Sequence, residues 1–204
     1  MEKGKVSGLV IVAVAVVCIG GIAAVAYLNP FGAPEDAVDW NVTLIGCGGE
    51  EKVLTFDEIR AMPSYKGYGG FFTTVGVVNG PYKCKGVPLK DLCALVGGLD
   101  ASNTVWVSAP DGYLMTFSYD QVNGDFRTYD PATFKEVPHE DLTLILMYEQ
   151  DGAPLSDYDG RPLRLAIVSS SSSDEFLTEG HSWVKWVNKI EVRTPAASVE
   201  QDAE

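Results

Sequence analysis

The chain has 204 residues with 15 basic and 28 acidic side chains, which give a formal net charge of -13 at pH 7. This acidic balance excludes nucleic acid as a partner, because nucleic-acid affinity rests on lysine and arginine contacts with phosphates. It also disfavours anionic ligands, unless a local basic pocket overrides the field of the whole molecule. The roughly 165 residues after the N-terminal segment suffice for one ordinary domain.

The N-terminal segment predicts a membrane anchor. Residues 8–28 contain no charged side chain and are mostly Val, Ile, Ala, Leu and Gly. About 20 such residues, rising about 1.5 Å each, span the roughly 30 Å core of a bilayer. Lys3 and Lys5 precede this stretch. By the positive-inside rule, residues 1–7 are predicted to lie in the cytoplasm and the domain on the extracytoplasmic side. A signal segment cleaved near residues 24–26 is the alternative, because these small residues resemble a cleavage site.

Three further regions follow the anchor. Residues 29–38 are rich in Pro and Gly and predict a linker, and residues 39–194 predict one folded domain. Residues 195–204 are acidic and lack hydrophobic periodicity, which predicts a disordered tail.

The domain is predicted to contain many short strands. Alternating or β-branched sequence indicates strands at residues 42–45, 53–54, 71–78, 104–108, 113–117, 142–148, 163–168 and 186–192.

Short helices separate some of these strands. One helix begins at Thr55, which forms a capping box with Glu58, and another begins at Ser118, which forms a capping box with Gln121. A third begins at Pro88, a residue that suits the first turn of a helix. This succession predicts an α+β domain with short helices, whose strands form a curled mixed β-sheet.

Three cysteines lie in the predicted domain. Cys93 lies on an apolar helical stripe and is predicted to be a buried core thiol. Cys47 and Cys84 lie in loop-like sequence and form a possible disulfide in an oxidising compartment. A metal site is less favoured, because the chain has no CxxC or HxxH spacing.

Four segments carry a family resemblance by their order and spacing. They are residues 82–92, with Gly-Val-Pro-Leu at 86–89, then 108–113, 148–155 with 160–164, and 183–187. Together they resemble the molybdopterin-binding domain of sulfite-oxidase-type oxidoreductases, over roughly residues 42–192. The resemblance implies that fold, and a molybdenum atom held by a pterin cofactor and one cysteine thiolate.

The chain departs from the family at two of its cofactor positions. The family's metal-binding cysteine stands about a dozen residues before Gly-Val-Pro-Leu, where this chain has Thr74, and a threonine hydroxyl is a poor ligand for such a metal. Cys84 is an outside candidate for the metal. Asp159 occupies a position where sulfite oxidases commonly carry a pterin-binding histidine, and its charge would repel an anionic pterin phosphate.

Three residues agree with the family's cleft. Tyr113 resembles its substrate-facing tyrosine, Lys185 resembles a lysine that contacts the pterin, and Arg164 lies in a shared segment. Each also has a structural interpretation. Tyr113 can pack its ring, Lys185 can be a solvated strand residue, and Arg164 can form an ion pair with Asp111 or Asp159.

Three functions follow, of which the sequence favours a non-catalytic binding module. Such a module binds an unknown small ligand or a membrane partner protein, in a cleft lined by the aromatic stretch at residues 65–74. Molybdopterin, implied by the resemblance alone, is then predicted to be absent. The alternative is an extracytoplasmic molybdopterin-dependent oxidoreductase that retains the pterin-molybdenum cofactor. A third possibility is a metal- or haem-linked redox component that uses Asp174, Glu175, Glu179 and His181.

Overall fold

The computed structural model describes residues 38–138, 141–171 and 176–194. Its strands are β1 Asn41–Ile45, β2 Glu51–Thr55, β3 Tyr65–Phe72, β4 Val78–Pro88, β5 Thr104–Ser108, β6 Leu114–Ser118, β7 Thr128–Tyr129, β8 Glu136–Val137, β9 Leu142–Gln150, β10 Ala153–Pro154, β11 Arg164–Ser169, β12 Thr178–Glu179 and β13 Lys189–Arg193. Its helices are α1 Phe56–Ala61, α2 Leu89–Ala94 and α3 Tyr119–Val122, with a 3-10 turn at Gly180–Ser182.

The strands form two main sheets and a small ribbon. One sheet has the order β2-β1-β13-β5-β6, in which only the β1–β13 pair is parallel, and β7 pairs with β8 separately. The other sheet contains a closed group of four strands. In it β3 pairs with β4, β4 with β9, β9 with β11, and β11 with β3. The two short strands β10 and β12 extend that sheet. The curled mixed sheet of the sequence prediction is therefore two sheets, one of them closed.

The hydrophobic core explains why this closed group holds together. All six residues of β11 are buried, as are five consecutive residues of β9, from Leu144 to Tyr148. A strand buried on both faces has a continuous apolar sequence, and residues 144–148 of β9 and 165–168 of β11 are such runs. The domain is mostly β-structure with three short helices among the described residues. The domain therefore contains more β-structure, relative to helix, than the predicted α+β class implies.

Both predicted capping boxes are present. The Thr55 hydroxyl accepts a hydrogen bond from the Glu58 amide at 3.2 Å, and the Glu58 carboxylate accepts one from the Thr55 amide at 2.7 Å. Ser118 and Gln121 make the same reciprocal pair at α3. These contacts satisfy amide groups that a helix leaves without partners at its first turn.

The predicted strand at residues 71–78 is wrong. β3 ends at Phe72 and β4 begins at Val78, with a tight turn between them. The Thr73 hydroxyl accepts a hydrogen bond from the Val77 amide, and Gly76 adopts a φ of +79°, a conformation that glycine tolerates. These two features reverse the chain where β-branched residues had indicated continued extension.

The membrane anchor and the acidic tail, predicted at residues 8–28 and 195–204, lie outside the described residues. Among residues 38–138, 141–171 and 176–194, no helix has the length and apolar character that crossing a bilayer requires.

The capping box at α1 can be tested by mutation. Replacing Thr55 with Ala removes one acceptor and is expected to lower the free energy of unfolding by about 1 kcal/mol. Thr55→Ser keeps the hydroxyl and is the matched control, expected to be near neutral. The measurement is urea unfolding of the full chain in detergent, followed by tryptophan fluorescence. Equal stability of the two variants would contradict a contribution of the cap.

Candidate functional site

A cavity of about 360 Å³ brings together residues that are far apart in the sequence. Its walls come from the β3–β4 hairpin, the turn between β5 and β6, the segment leading into β11 and the segment between β12 and β13. All five cleft residues predicted from the sequence line it: Thr74, Tyr113, Asp159, Arg164 and Lys185. Its size falls within the range of roughly 300–1,000 Å³ that is typical of small-molecule sites.

Arg164 is the most deeply buried charged residue of this lining, at 2% exposure. It is the first residue of β11, and its Cζ lies 4.6 Å from the ring centroid of Phe71 and 5.3 Å from that of Trp183. The two rings contact each other at 4.9 Å. A guanidinium placed over aromatic faces gains a favourable electrostatic contact that partly replaces its lost hydration.

The charge of Arg164 is only partly compensated. Its Nη1 lies 4.0 Å from Asp159 Oδ1, which is the outer limit of an ion pair, and the buried Nε has no hydrogen-bond partner. Burial lowers the pKa of Arg164, and the negative charge of Asp159 opposes that shift. An arginine nevertheless stays protonated in a protein. The site therefore presents a buried cation that can receive a further anion.

Lys185 provides a second cation in the same lining. Its Nζ donates a hydrogen bond to the Tyr158 carbonyl and lies 4.3 Å from the Tyr158 ring centroid and 5.8 Å from that of Trp186. Burial, and then the neighbouring charge of Arg164, lower the pKa of Lys185. Two cations that repel each other favour an anion placed between them.

Two unusual backbone conformations hold Lys185 in place. Gly160 has a φ of +96°, and a Cβ there would lie 2.7 Å from Cβ of Lys185, so that only glycine fits. Trp186 has a φ of +54°, which is rare for a bulky residue. Backbone hydrogen bonds on either side, from Leu165 to Val184 and from Val187 to Leu163, fix this segment against β11. Strain of this kind concentrates at functional sites.

Tyr113 connects two walls of the cavity. Its hydroxyl donates a hydrogen bond to the His181 carbonyl at 2.9 Å, and its amide donates one to Asp111 Oδ1 at 2.9 Å. Burial raises the pKa of Tyr113, so the hydroxyl keeps its proton and can donate. The residue therefore joins the β5–β6 turn to the 3-10 turn as well as lining the cavity.

Thr74 lies in the exposed turn of the β3–β4 hairpin, at the edge of the cavity. It places a hydroxyl where the family resemblance implies a thiolate. Asn79, across the same turn, also lines the cavity. This wall therefore offers neutral polar groups.

The disulfide predicted between Cys47 and Cys84 is wrong, because both cysteines are free. Cys84 lies in β4 with its side chain fully buried in the core, whereas Cys47 lies in an exposed turn after β1 in the other sheet. The pairing of β4 with β3 and β9 holds Cys84 in this inward orientation. Cys93 is buried in the core, as predicted.

The residues present do not fit the metal centre that the resemblance implies. Among the described residues no cysteine lines the cavity, and burial raises the pKa of Cys84 and of Cys93 to about 12, so that neither forms a thiolate at neutral pH. In this arrangement Cys84 is buried in the core and does not line the cavity. Arg164 and Lys185 would suit the anionic phosphate of a pterin, but they are not molybdenum ligands.

The predicted aromatic cleft is only partly formed by residues 65–74. Phe71 lines the cavity, but Tyr65 and Tyr68 do not, and Phe72 packs against Tyr129 and Phe134 instead. Sequence reasoning missed three aromatic rings of the lining: Tyr158, Trp183 and Trp186. Tyr158 precedes Asp159 in the sequence, and Trp183 and Trp186 lie on either side of Lys185. This nearness to predicted cleft residues could have indicated that the three rings line the cavity.

The third function has no support from the described part of the chain. His181 Nε2 lies 3.6 Å from Glu179 Oε2, but the described residues contain no group of three His, Cys, Asp or Glu side chains that could hold a metal ion. Asp174 and Glu175 lie outside the described residues.

Thiol reactivity tests the placement of the cysteines. Treating the native full chain with iodoacetamide at pH 8 is expected to modify Cys47 and to leave Cys84 and Cys93 unmodified until urea is added, because burial keeps both thiols protonated and inaccessible. Mass spectrometry of the peptides gives the extent at each position. Modification of Cys84 at the rate of Cys47 would show that the thiol reaches solvent and would reopen its role as a ligand.

Comparisons with known proteins agree with this fold. A family model described as the oxidoreductase molybdopterin binding domain matches residues 30–199. Among solved structures, the chain is similar to the sulfane dehydrogenase SoxCD from Paracoccus pantotrophus, with a TM-score of 0.57, 17% identity and coverage of 78% of this chain but 39% of that one. No curated protein matches. The family match confirms the resemblance seen in the sequence, and the chain belongs to the oxidoreductase molybdopterin-binding domain family.

Proposed function

We propose that this domain is a non-catalytic binding module whose cavity receives a small anionic ligand. The observation that carries the proposal is Arg164, a guanidinium at 2% exposure with an unpartnered Nε and a single carboxylate 4.0 Å away. Natural proteins rarely leave a buried charge with so little compensation. A bound carboxylate, sulfonate or phosphate would balance the charge of Arg164 and accept hydrogen bonds from it, since guanidinium groups bind such anions through paired hydrogen bonds.

The local charge balance supports an anion in spite of the acidic chain. Arg164 and Lys185 oppose Asp111 and Asp159 in the lining, so the cavity is neutral in formal charge while the chain carries -13. The buried cations act at short range in a poorly hydrated space, where electrostatic interactions are stronger than at the surface. The cavity is thus neutral in a chain of -13, and its cation Arg164 is the group that an anionic ligand would contact.

The lack of a thiolate in the cavity supports binding rather than molybdenum chemistry. The position that would ligate the metal is Thr74, and the nearest cysteine in sequence, Cys84, is a protonated core thiol. A soft thiolate is the ligand that this metal requires, and a threonine hydroxyl does not replace it. In this proposal the cavity uses Arg164 and Lys185 to bind a ligand rather than a thiolate to bind a metal.

The membrane location remains part of this proposal. The uncharged stretch at residues 8–28, preceded by Lys3 and Lys5, supports an anchor with the domain on the extracytoplasmic side. A domain held there would meet either a small solute or a membrane partner protein.

The alternative is an extracytoplasmic molybdopterin-dependent oxidoreductase. Its support is the family membership of residues 30–199, together with Tyr113 and Lys185 in the lining of the cavity. When bound, that cofactor would supply the redox chemistry of a molybdenum atom. Tyr113 and Lys185 would then orient ligands by hydrogen bonding.

Substitution of Arg164 tests the anion site. Wild-type protein is titrated with phosphate, sulfate and benzoate in turn, and at least one of them at 100 times its Kd is expected to raise the Tm by roughly 5–10 °C. Arg164→Lys keeps the charge but loses the forked donor, so we expect binding to weaken by roughly 10- to 100-fold.

Arg161→Lys is the matched control, because Arg161 is exposed and lies three residues away in the same segment. It is expected to bind the anion as the wild type does. Equal weakening in the two variants, or no stabilisation of the wild type by any of the three anions, would contradict an anion site at Arg164.

Metal and pterin content separates the two functions. The full chain, produced in a host that makes the molybdenum cofactor, is expected to contain neither molybdenum nor pterin, because no cysteine of the described residues lines the cavity to hold the metal. Elemental mass spectrometry and oxidised-pterin fluorescence measure both on one sample. A relative with a cysteine at the Thr74 position serves as the loading control. Near one equivalent of each in this protein would overturn the binding module and favour the oxidoreductase.

A further inference from the structure

Three of the four residues from 75 to 78, where the β3–β4 turn leads into β4, are exposed valines. Val75 is 83% exposed, Val77 54% and Val78 41%. We call residues 73–78 the hairpin tip, and we propose that this tip contacts the lipid bilayer to which the chain is anchored. Single exposed hydrophobic residues are normal, but a cluster of them at one projecting point indicates a binding surface.

The tip is an ordered projection. The Thr73 amide donates a hydrogen bond to the Val77 carbonyl at 2.9 Å, and the Val77 amide donates one to the Thr73 hydroxyl at 3.1 Å. Below the tip, Phe72 packs edge-on against Phe134, which is itself exposed. Phe134 therefore adds an exposed apolar side chain beside Phe72, the residue directly before the tip.

The charge of the hairpin fits a membrane surface. Residues 67–82 contain no charged side chain, and the hairpin at residues 65–88 carries Lys66, Lys83 and Lys85 with no acidic residue. Its formal charge is therefore +3 in a chain of -13. These lysines lie towards the base of the hairpin, where Lys66 pairs with Lys85, and Lys85 forms an ion pair with Glu149. The tip itself is uncharged, so it can approach a bilayer without bringing carboxylates to anionic headgroups.

The chain outside the described residues brings a bilayer within reach. This step rests on the membrane anchoring put forward under the proposed function. From the end of the uncharged stretch at residue 28, the chain to Val38 spans at most about 35 Å when fully extended. A domain of this size has a diameter on the order of 40 Å. A tether no longer than the diameter of the domain keeps the domain close to the bilayer, which makes lipid the occupant that we choose over a soluble protein.

The test uses environment-sensitive fluorophores on the full chain. Cys18 and Cys47 are replaced by serine, since Cys84 and Cys93 are buried and unreactive. Val77→Cys is labelled with a nitrobenzoxadiazole probe and reconstituted in nanodiscs of phosphatidylcholine and phosphatidylglycerol. Val53→Cys on β2 is the control, because Val53 is 52% exposed and so matches Val77.

A probe at Val77 is expected to emit at shorter wavelength than one at Val53, and a spin-labelled lipid is expected to quench it at least threefold more. Equal emission and equal quenching at the two positions would overturn the proposal. Protection of Val77 from iodide without quenching by the lipid label would also overturn it, because a protein surface would then cover the tip.

Failure of the anchor can be told apart from failure of the tip. A chain that does not elute with the nanodiscs lacks the anchor, which overturns both the anchoring and the contact. A chain that elutes with them and shows a water-exposed probe at Val77 overturns the contact alone.

Discussion

The buried guanidinium of Arg164 constrains how the surrounding segments are arranged. Removing an ion from water costs several kcal/mol, and the protein has to offset that cost with contacts. Phe71 from β3 and Trp183 from the segment before β13 place their rings against the guanidinium, and Asp159 stands at 4.0 Å. Asp159 is in turn held by a hydrogen bond from the Ser156 hydroxyl at 2.6 Å. Three separate parts of the chain therefore meet around one charge, and the space left beside it is the cavity.

Lys185 shows how backbone conformation fixes the second charge of the site. The residue that follows it, Trp186, adopts a left-handed conformation. Gly160 packs against Lys185 so closely that a Cβ at position 160 would overlap the Lys185 side chain. Lys185 also forms an isolated β-bridge with Arg164, so the two cations are linked through the backbone. Because their mutual repulsion is built into the fold, an anion that binds between them relieves it.

The sequence predicted the parts of the fold that depend on local chemistry. Both capping boxes and the bounds of β5 agree with the structure, because caps and alternating burial are set by near neighbours in the chain. β3 was missed because it contains Gly67, Gly69 and Gly70, which strand propensity disfavours. Gly69 is explained only by tertiary structure, since a Cβ there would overlap the carbonyl oxygen of Ile167. The hydrophobic periodicity of the sequence does not indicate such a close approach of two backbone segments.

The cavity was predictable to the extent that the family resemblance carried it. Tyr113, Arg164 and Lys185 came from matched segments, and the structure brings them together. Phe71 belongs to the predicted aromatic stretch, but its contact with Trp183 and Arg164 could not be predicted, because Phe71 and Trp183 lie 112 residues apart in the sequence. Long-range stacking depends on strand pairing, which no local pattern of the sequence specifies.

A small movement of the chain could not bring Cys84 into the cavity as a metal ligand. Cys84 is paired through β4 with Gly67 on one side and Gln150 on the other, so turning its side chain outward would break both ladders of the closed sheet. The exposed hairpin turn, by contrast, accepts Thr74 without any change in the strands below it. The described cavity therefore has its two cations and its aromatic rings without a cysteine in its lining. In the function that we propose, such a cavity recognises an anion, which needs placed charges and no redox centre.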